Sequence, residues 1–336
     1  MNRRLLLILL WVAAAGALWA GDLPVMRISV ENTDSHTQTK TVRDFARRLQ
    51  QRTEGVLDIR FFSSSSLVRD SEAVRAMTLG QLEMAVPGTW HLDRLVPEVS
   101  VFLLPLFYGR DARDVYDLLD SPAGAELVGY IENDLFVKVP GRWIDLGHTH
   151  LFSTDKPITS YDDIRGMRIR VAGGYGNEAR INAMGALSTS IAWADFPSRL
   201  EQGVVAGVLT SHETVRSGEL WNYGIRYAFE DRQYFAQYVP MISRRFWNSL
   251  SAEVQEIIID TWEEGVDESR RAASAAQEFA RGVLLQAGVK MTQPSAVELS
   301  RMRQHLLSRQ DDIARLLGIP HEFIEHVEAE LLGETP

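Results

Sequence analysis

Arg170 is the residue whose type and position most invite chemistry. It stands near the end of a run, 167–171, that reads as a strand, and the turn Ala172-Gly173-Gly174 follows. Open α/β sheets bind ligands at the carboxyl ends of their strands, and a guanidinium there offers a carboxylate two parallel N–H donors. An ion pair at the surface or between lobes would use the same residue, and Arg170 alone does not separate the two. The segment Gly174-Tyr175-Gly176-Asn177-Glu178-Ala179 matches the Gly-x-Gly-x-x-Ala dinucleotide fingerprint, and Asp195 lies about 20 residues further on. Its strand, however, sits in mid-chain rather than at the start of a cofactor domain. A tight turn feeding a helix explains the same glycines, and a helix N-terminus of that kind can hold an anion.

Little else in the chain carries catalytic or metal chemistry. Cysteine is absent, which excludes disulfides, thiolate metal sites and a cysteine nucleophile. There is no His-x-x-x-His pair, no Gly-x-Ser-x-Gly elbow and no phosphate loop ending in Gly-Lys-Ser/Thr. The eight histidines are scattered. His321 and His326 fall roughly 140° apart on a helix, too far around to share an ion, and read as solvated surface groups. No metal, no cofactor and no catalytic residue is expected. The formal charge of −10, with no basic run, lacks the footprint of a nucleic-acid binder.

The elements that must hold Arg170 form alternating blocks. Arg3 and Arg4 before the apolar run 5–20 read as a secretory signal, cut after Ala17 or Ala20. The run is shorter than the about 20 residues a membrane span needs, although an uncleaved anchor would use the same residues. A periplasmic location is expected. Beyond it, strands are predicted at 26–30, 56–62 and 82–86, with helices at 39–52 and 71–79 between them. This order calls for a mostly parallel sheet covered by helices. A helix follows at 122–134. The second block has strands at 151–153, 167–171 and 204–210 and helices at 176–184 and 195–201. Residues 227–243, rich in aromatic and β-branched side chains, read as extended chain crossing between lobes. Ser251 then caps a helix with Val254, Ile258, Trp262 and Val266 at four-residue intervals. It runs toward Gly288, on the order of 50 Å, which is long enough to brace two lobes. The tail after Pro294 reads as helical and amphipathic.

With these elements in place the chain resembles the solute-binding proteins of TRAP (tripartite ATP-independent periplasmic) transporters, the DctP type. The strongest carrier is Ile158-Thr159-Ser160-Tyr161-Asp162-Asp163-Ile164-Arg165-Gly166-Met167-Arg168-Ile169-Arg170-Val171, similar to the family's Pro-Ile-x-Ser/Thr-x-x-Asp-Leu-Lys-Gly-x-Lys-Ile-Arg-Val. The segment Asp195-Phe196-Pro197-Ser198-Arg199-Leu200-Glu201-Gln202-Gly203-Val204-Val205-Ala206-Gly207 is similar to Glu-Val-Tyr-x-Ala-Leu-Gln-x-Gly-Val-Val-Asp-Gly. Thr53-Glu54-Gly55 with the strand, loop and helix that follow it, and the long helix from Ser251, complete the likeness over about 26–315.

The resemblance implies an α/β fold of the two-lobe periplasmic binding protein kind, with mixed, mostly parallel sheets and a long lobe-spanning helix. It places one lobe at 24–147 and 236–275 and the other at 148–235 and 276–330. It implies capture of a small organic acid in the interlobe cleft and delivery to TRAP membrane subunits, without enzymatic activity. Arg170 takes the place of the arginine that pairs with the ligand carboxylate. Trp193 matches an aromatic that packs on the ligand, and Thr210 a frequent ligand-binding Asn. His150 stands where some acid-specific members have a second Arg, and Glu31, Asp70, Thr89 and Trp90 match first-lobe positions at the cleft. His150 exchanges a permanent charge for a titratable one, Thr210 shortens the reach of Asn, and Ala206 replaces the usual Asp. These departures point away from sialic-acid-like ligands, blur the dicarboxylate reading and lean toward a monocarboxylate with an apolar or hydroxylated body. Trp90 and Trp193 could stack an aromatic ligand or simply pack the lobes. Two other functions remain open at this stage: a secreted α/β enzyme using the Gly174 turn for a dinucleotide, and a ligand-sensing subunit of the same fold.

Overall fold

The computed structural model describes residues 23–332, so the expected signal segment 1–20 lies outside the described residues. Thirteen strands occur among them: β1 (Val25–Ser29), β2 (Asp58–Phe62), β3 (Met84–Ala85), β4 (Val137–Lys138), β5 (Ile144–His148), β6 (His150–Ser153), β7 (Arg168–Val171), β8 (Leu187–Ser190), β9 (Gly207–Thr210), β10 (Tyr227–Phe229), β11 (Phe235–Tyr238), β12 (Met241–Ser243) and β13 (Lys290–Thr292). They form one sheet in the order β2-β1-β3-β12-β4, a second in the order β13-β10-β6-β9-β7-β8, and a two-stranded ribbon β11-β5. Each large sheet belongs to one lobe, and the ribbon is the crossing between them.

The first lobe grows from the alternation predicted for it. β1 pairs in parallel with β2 and β3, and the helix Thr37–Arg52 buries Val42, Phe45, Ala46 and Leu49 at helical spacing. The predicted helix 71–79 divides into a short turn, Asp70–Glu72, and a helix, Ala73–Thr78. In the second lobe β7 is parallel to both β8 and β9, and β6 is antiparallel to β9 and β10. The extended chain 227–243 is three strands in three different sheets. β10 closes on β6, β11 pairs with β5 through a register shift at Ala236/Gln237, and β12 returns antiparallel to β3 and β4 of the first lobe. Both sheets are therefore mixed.

Several elements escaped the sequence reading, and for three strands and one helix the reason is identifiable. β8, Leu187-Ser188-Thr189-Ser190, is a polar edge strand with no two-sided burial to mark it. β5 pairs only with β11, and β13 is short, half-exposed and at a sheet edge. The helix Ala112–Leu119 buries only Val115 and Leu118.

The long helix, Ala252–Gln286, is 35 residues, on the order of 50 Å. Ser251 caps it by accepting from the Val254 N–H at 3.3 Å. It packs against the first-lobe helix Thr37–Arg52, the ribbon strand β5 and the second-lobe helix His212–Ser217, so it braces both lobes and the crossing. Trp262 is its anchor: the buried ring meets Phe45 edge-on at 5.1 Å, and its N–H donates to the Arg142 carbonyl at 2.9 Å. The last helix, His321–Leu332, expected with the second lobe, packs instead on the first-lobe helices Ala112–Leu119 and Pro122–Asp134. Its Phe323 and Val327 are buried there, with Phe323 edge-on to Tyr130 at 5.8 Å. No helix among the described residues is long and apolar enough to cross a membrane. Replacing Trp262 by Ala removes a buried ring and one hydrogen bond from the brace, and is expected to cost about 3–5 kcal/mol, read as a lowered midpoint in urea denaturation.

Candidate functional site

Arg170 is held inside the protein between the lobes. β7 runs through the second sheet with Ile169, Arg170 and Val171 all buried, and the Arg170 side chain is carried into the contact with the first lobe. The residue is 2% exposed. Its Nε donates to the Ile191 carbonyl at 3.0 Å, and its guanidinium carbon lies 4.6 Å from the Phe196 ring centre and 5.9 Å from that of Trp193. Nη2 is buried without a hydrogen-bond partner, and among the described residues no carboxylate comes within salt-bridge distance of Arg170. Burial pushes its pKa down to about 10, against the opposing pull of Asp70 and Glu31, so it stays cationic at neutral pH.

Asp70 and Glu31 approach from the first lobe. Asp70 is 3% exposed; its Oδ2 accepts the Trp193 backbone N–H at 2.8 Å across the cleft, and its Oδ1 is buried without a partner. Glu31 Oε2 lies 2.9 Å from His91 Nε2. Burial by itself would lower the His91 pKa; the charge and hydrogen bond of Glu31, with the charge of Asp70, outweigh it and raise the pKa above the usual 6.5. One ligand atom from each of Glu31, Asp70 and His91 lies within 4.8 Å of the others, a donor set able to hold a proton or a cation. A small cavity of about 10 Å³ beside Glu31, Asp70 and Pro87 is lined by first-lobe residues alone.

Further contacts hold the lobes together. Arg69 pairs with Asp195, Arg94 with Glu178 at 2.9 Å, and the Thr37 N–H and Oγ1 both donate to Glu213 at 3.1 Å. The Gly174 turn is one of these seams. A Cβ on Gly174 would stand 2.7 Å from Asp93 Oδ2 and 2.8 Å from the Trp90 carbonyl, so glycine is required by the approach of the first lobe. The adjoining helix N-terminus is already occupied, since Asp93 Oδ2 accepts the Gly176 N–H at 2.9 Å. A dinucleotide pyrophosphate would need that same position, so the Gly-x-Gly-x-x-Ala match is a packing device here. Burial pushes the Asp93 pKa up to about 6, while the Gly176 and Tyr175 N–H groups pull the other way.

The residues expected at the site divide. Arg170, Trp193, Asp70 and Glu31 converge at the lobe interface. Thr89 and Trp90 are buried beside it, but Trp90 packs on its own lobe: its ring meets Tyr238 at 5.5 Å, and a Cβ on Gly88 would come within 2.2 Å of it. Thr210, buried at the end of β9, stands opposite His150 in register. His150 is engaged elsewhere. Its Nδ1 accepts the Arg232 N–H at 3.1 Å, its ring lies 4.6 Å from that of His212, and it lines a separate cavity of about 570 Å³ with His148, His212 and Glu230. Burial, then the neighbouring histidines His212 and His148, holds its pKa well below 6.5, so it brings no second positive charge. His91, Phe196 and Asp93 were missed. His91 adjoins Trp90 in sequence, but only the fold sets it against Glu31.

Two α/β lobes, a two-stranded crossing, a bracing helix and a buried guanidinium between the lobes define a two-lobe solute-binding protein. The chain belongs to the DctP family, bacterial extracellular solute-binding protein family 7, whose model matches residues 28–315. It is 24% identical over 281 residues to the C4-dicarboxylate-binding periplasmic protein DctP of Rhodobacter capsulatus, covering 83% of each chain. Among solved structures it is similar to the sugar acid binding protein of Advenella mimigardefordensis in complex with galactonate, at TM-score 0.86 and 19% identity, over 93% of this chain and 99% of that one. It is also similar to a TRAP periplasmic solute-binding protein from Desulfovibrio salexigens with bound orotic acid, at TM-score 0.85 and 21% identity, over 93% and 99%.

Asp93→Asn keeps an acceptor for the Gly176 N–H and removes a buried charge, whereas Asp93→Ala removes both. Because the folded-state pKa is raised, Asp93 costs the fold stability as pH rises from about 4 to about 6, and the cost is fully present above that. At pH 8 the Asn variant is expected to melt at or above the wild-type temperature and the Ala variant below it, while below pH 4 the wild type and the Asn variant converge, all read by thermal denaturation.

Proposed function

We propose that this protein is the extracytoplasmic solute-binding subunit of a TRAP transporter, which captures a small organic acid between its lobes and hands it to membrane subunits. The observation that carries the reading is the buried Arg170 guanidinium with Nη2 unpartnered at the lobe interface. A charged donor left unpaired in a dry interior costs upwards of about 1–3 kcal/mol, and a ligand carboxylate relieves that cost only when the lobes are closed around it. That difference between open and closed states is what makes a solute shift the equilibrium toward closure. The three relatives described above carry a C4-dicarboxylate, galactonate and orotic acid in their names, and all three are carboxylates. Trp193 supplies apolar surface, at about 25 cal/mol per Å² buried, and Asp70 and Glu31 supply polar groups from the opposite lobe. In this reading the protein is not an enzyme, works in the periplasm after removal of 1–20, and takes no cofactor and no nucleic acid.

Arg170→Ala is expected to abolish binding of whichever organic acid stabilises the wild type in a thermal-shift panel, with an unchanged circular dichroism spectrum. Arg170→Lys is expected to bind poorly as well, since an ammonium cannot make the planar two-point contact. Calorimetry decides both, and unchanged affinity in Arg170→Ala removes the residue from the site. Small-angle scattering of the wild type is expected to show a smaller radius of gyration with the acid than without it. Genes for two membrane subunits beside this one would support delivery to a transporter.

A further inference from the structure

Carboxylate capture at Arg170 leaves a problem of charge. The acids whose fields act on Arg170 are Asp70 and Glu31, and both belong to the buried cluster with His91. The neighbouring cations are engaged: Arg69 with Asp195, Arg94 with Glu178 and Arg216 with Glu213. His150, at the position that would bring a second cation, is buried against His212 in another cavity. The site therefore sets one permanent positive charge against two negative ones, and an imidazolium at His91 brings the sum only to zero. A bare anion added beside these groups leaves uncompensated negative charge. A dicarboxylate adds a second carboxylate that must face Glu31 and Asp70.

The unused hydrogen-bonding groups describe the complement. Arg170 Nη2 is a buried donor with no acceptor, and Asp70 Oδ1 is a buried acceptor with no donor; the two residues are 2% and 3% exposed. One end of a guest must supply an anion and the other a donor, and the two first-lobe acids favour a donor that carries positive charge. Resting on the capture reading, we propose that the solute is a zwitterion, a monocarboxylate that carries its own positively charged nitrogen. Its carboxylate lies on Arg170, its nitrogen lies toward Asp70 and Glu31, and its apolar body lies against Trp193. Glu31 and Asp70 then decide specificity by rejecting simple anions, including the dicarboxylates for which one relative is named.

Pairs of molecules that differ only in the charged nitrogen test this on the wild-type protein. Suitable pairs are L-proline with cyclopentanecarboxylate and L-phenylalanine with 3-phenylpropanoate, with succinate and galactonate alongside. Thermal shift and calorimetry read binding, and mass spectrometry identifies any compound released from the purified protein. The expected result is that at least one zwitterion binds while its partner is roughly 100-fold weaker, or that the released compound carries both a carboxylate and a cationic nitrogen. The double variant Glu31→Gln, Asp70→Asn is expected to lose that preference and to gain succinate binding.

Equal binding of both members of a pair, tight binding of succinate or galactonate by the wild type, or binding of a simple anion that EDTA abolishes would overturn the proposal. So would a panel and a released fraction in which no compound with a cationic nitrogen binds. If a simple anion binds and Arg170→Ala abolishes it, the capture reading stands and only the zwitterion falls. If nothing bearing a carboxylate binds, both fall. The comparison within pairs uses the wild type, so a variant that fails to fold leaves the test intact.

Discussion

A guanidinium removed from water needs partners, and Arg170 has only part of what it needs. One nitrogen is satisfied by a carbonyl of its own lobe, the rings of Phe196 and Trp193 lie 4.6 and 5.9 Å from its carbon, and another nitrogen has no partner. The acids nearest to it belong to the opposite lobe and act through their field rather than by direct pairing. The rest of the structure follows from keeping this group charged, dry and incompletely paired. β7 fixes its backbone, the first lobe covers it, and the ribbon β5-β11 and the long helix hold the two lobes in register.

The seam between the lobes is built from contacts of modest individual strength. Exposed pairs such as Arg69–Asp195 and Arg94–Glu178 are worth little each, typically 0–1 kcal/mol. Asp93 on the Gly176 N–H is buried, but the burial that makes the bond also raises the acid's pKa. A seam of this kind can open and close, unlike the continuous apolar contact between Phe45 and Trp262 inside the first lobe and its brace. The division suits a protein that moves as two bodies about a crossing ribbon.

Charge gives this cleft its particular character. Where a second arginine would make it an anion trap, His150 is neutral and turned to another cavity. Where the first lobe faces the guanidinium, it presents carboxylates. Family membership sets the architecture and the place of Arg170, and the surrounding acids and imidazoles are what distinguish one member's cleft from another's.

Much of the fold was legible in the order of residues. The spacing of Val42, Phe45 and Leu49, the alternation of strand and helix, the Ser251 cap and the stripe through Trp262 depend on neighbours within a few turns of chain, and periodicity records them directly. The place of Arg170 at the end of β7 was legible for the same reason. Polar β8, isolated β5 and the docking of Phe323 on Tyr130 were not, because their partners lie far away in the chain. The Gly174 turn looked like a phosphate loop, since close approach of any group demands the same glycines, and only the tertiary structure shows that the group is Asp93. His91 against Glu31, Trp90 folded onto Tyr238 and His150 turned to His212 were likewise decided by packing. Sequence determined which side chains line the strands and helices; the charge balance around Arg170 arises only when two lobes bring residues 31, 70, 91 and 170 together.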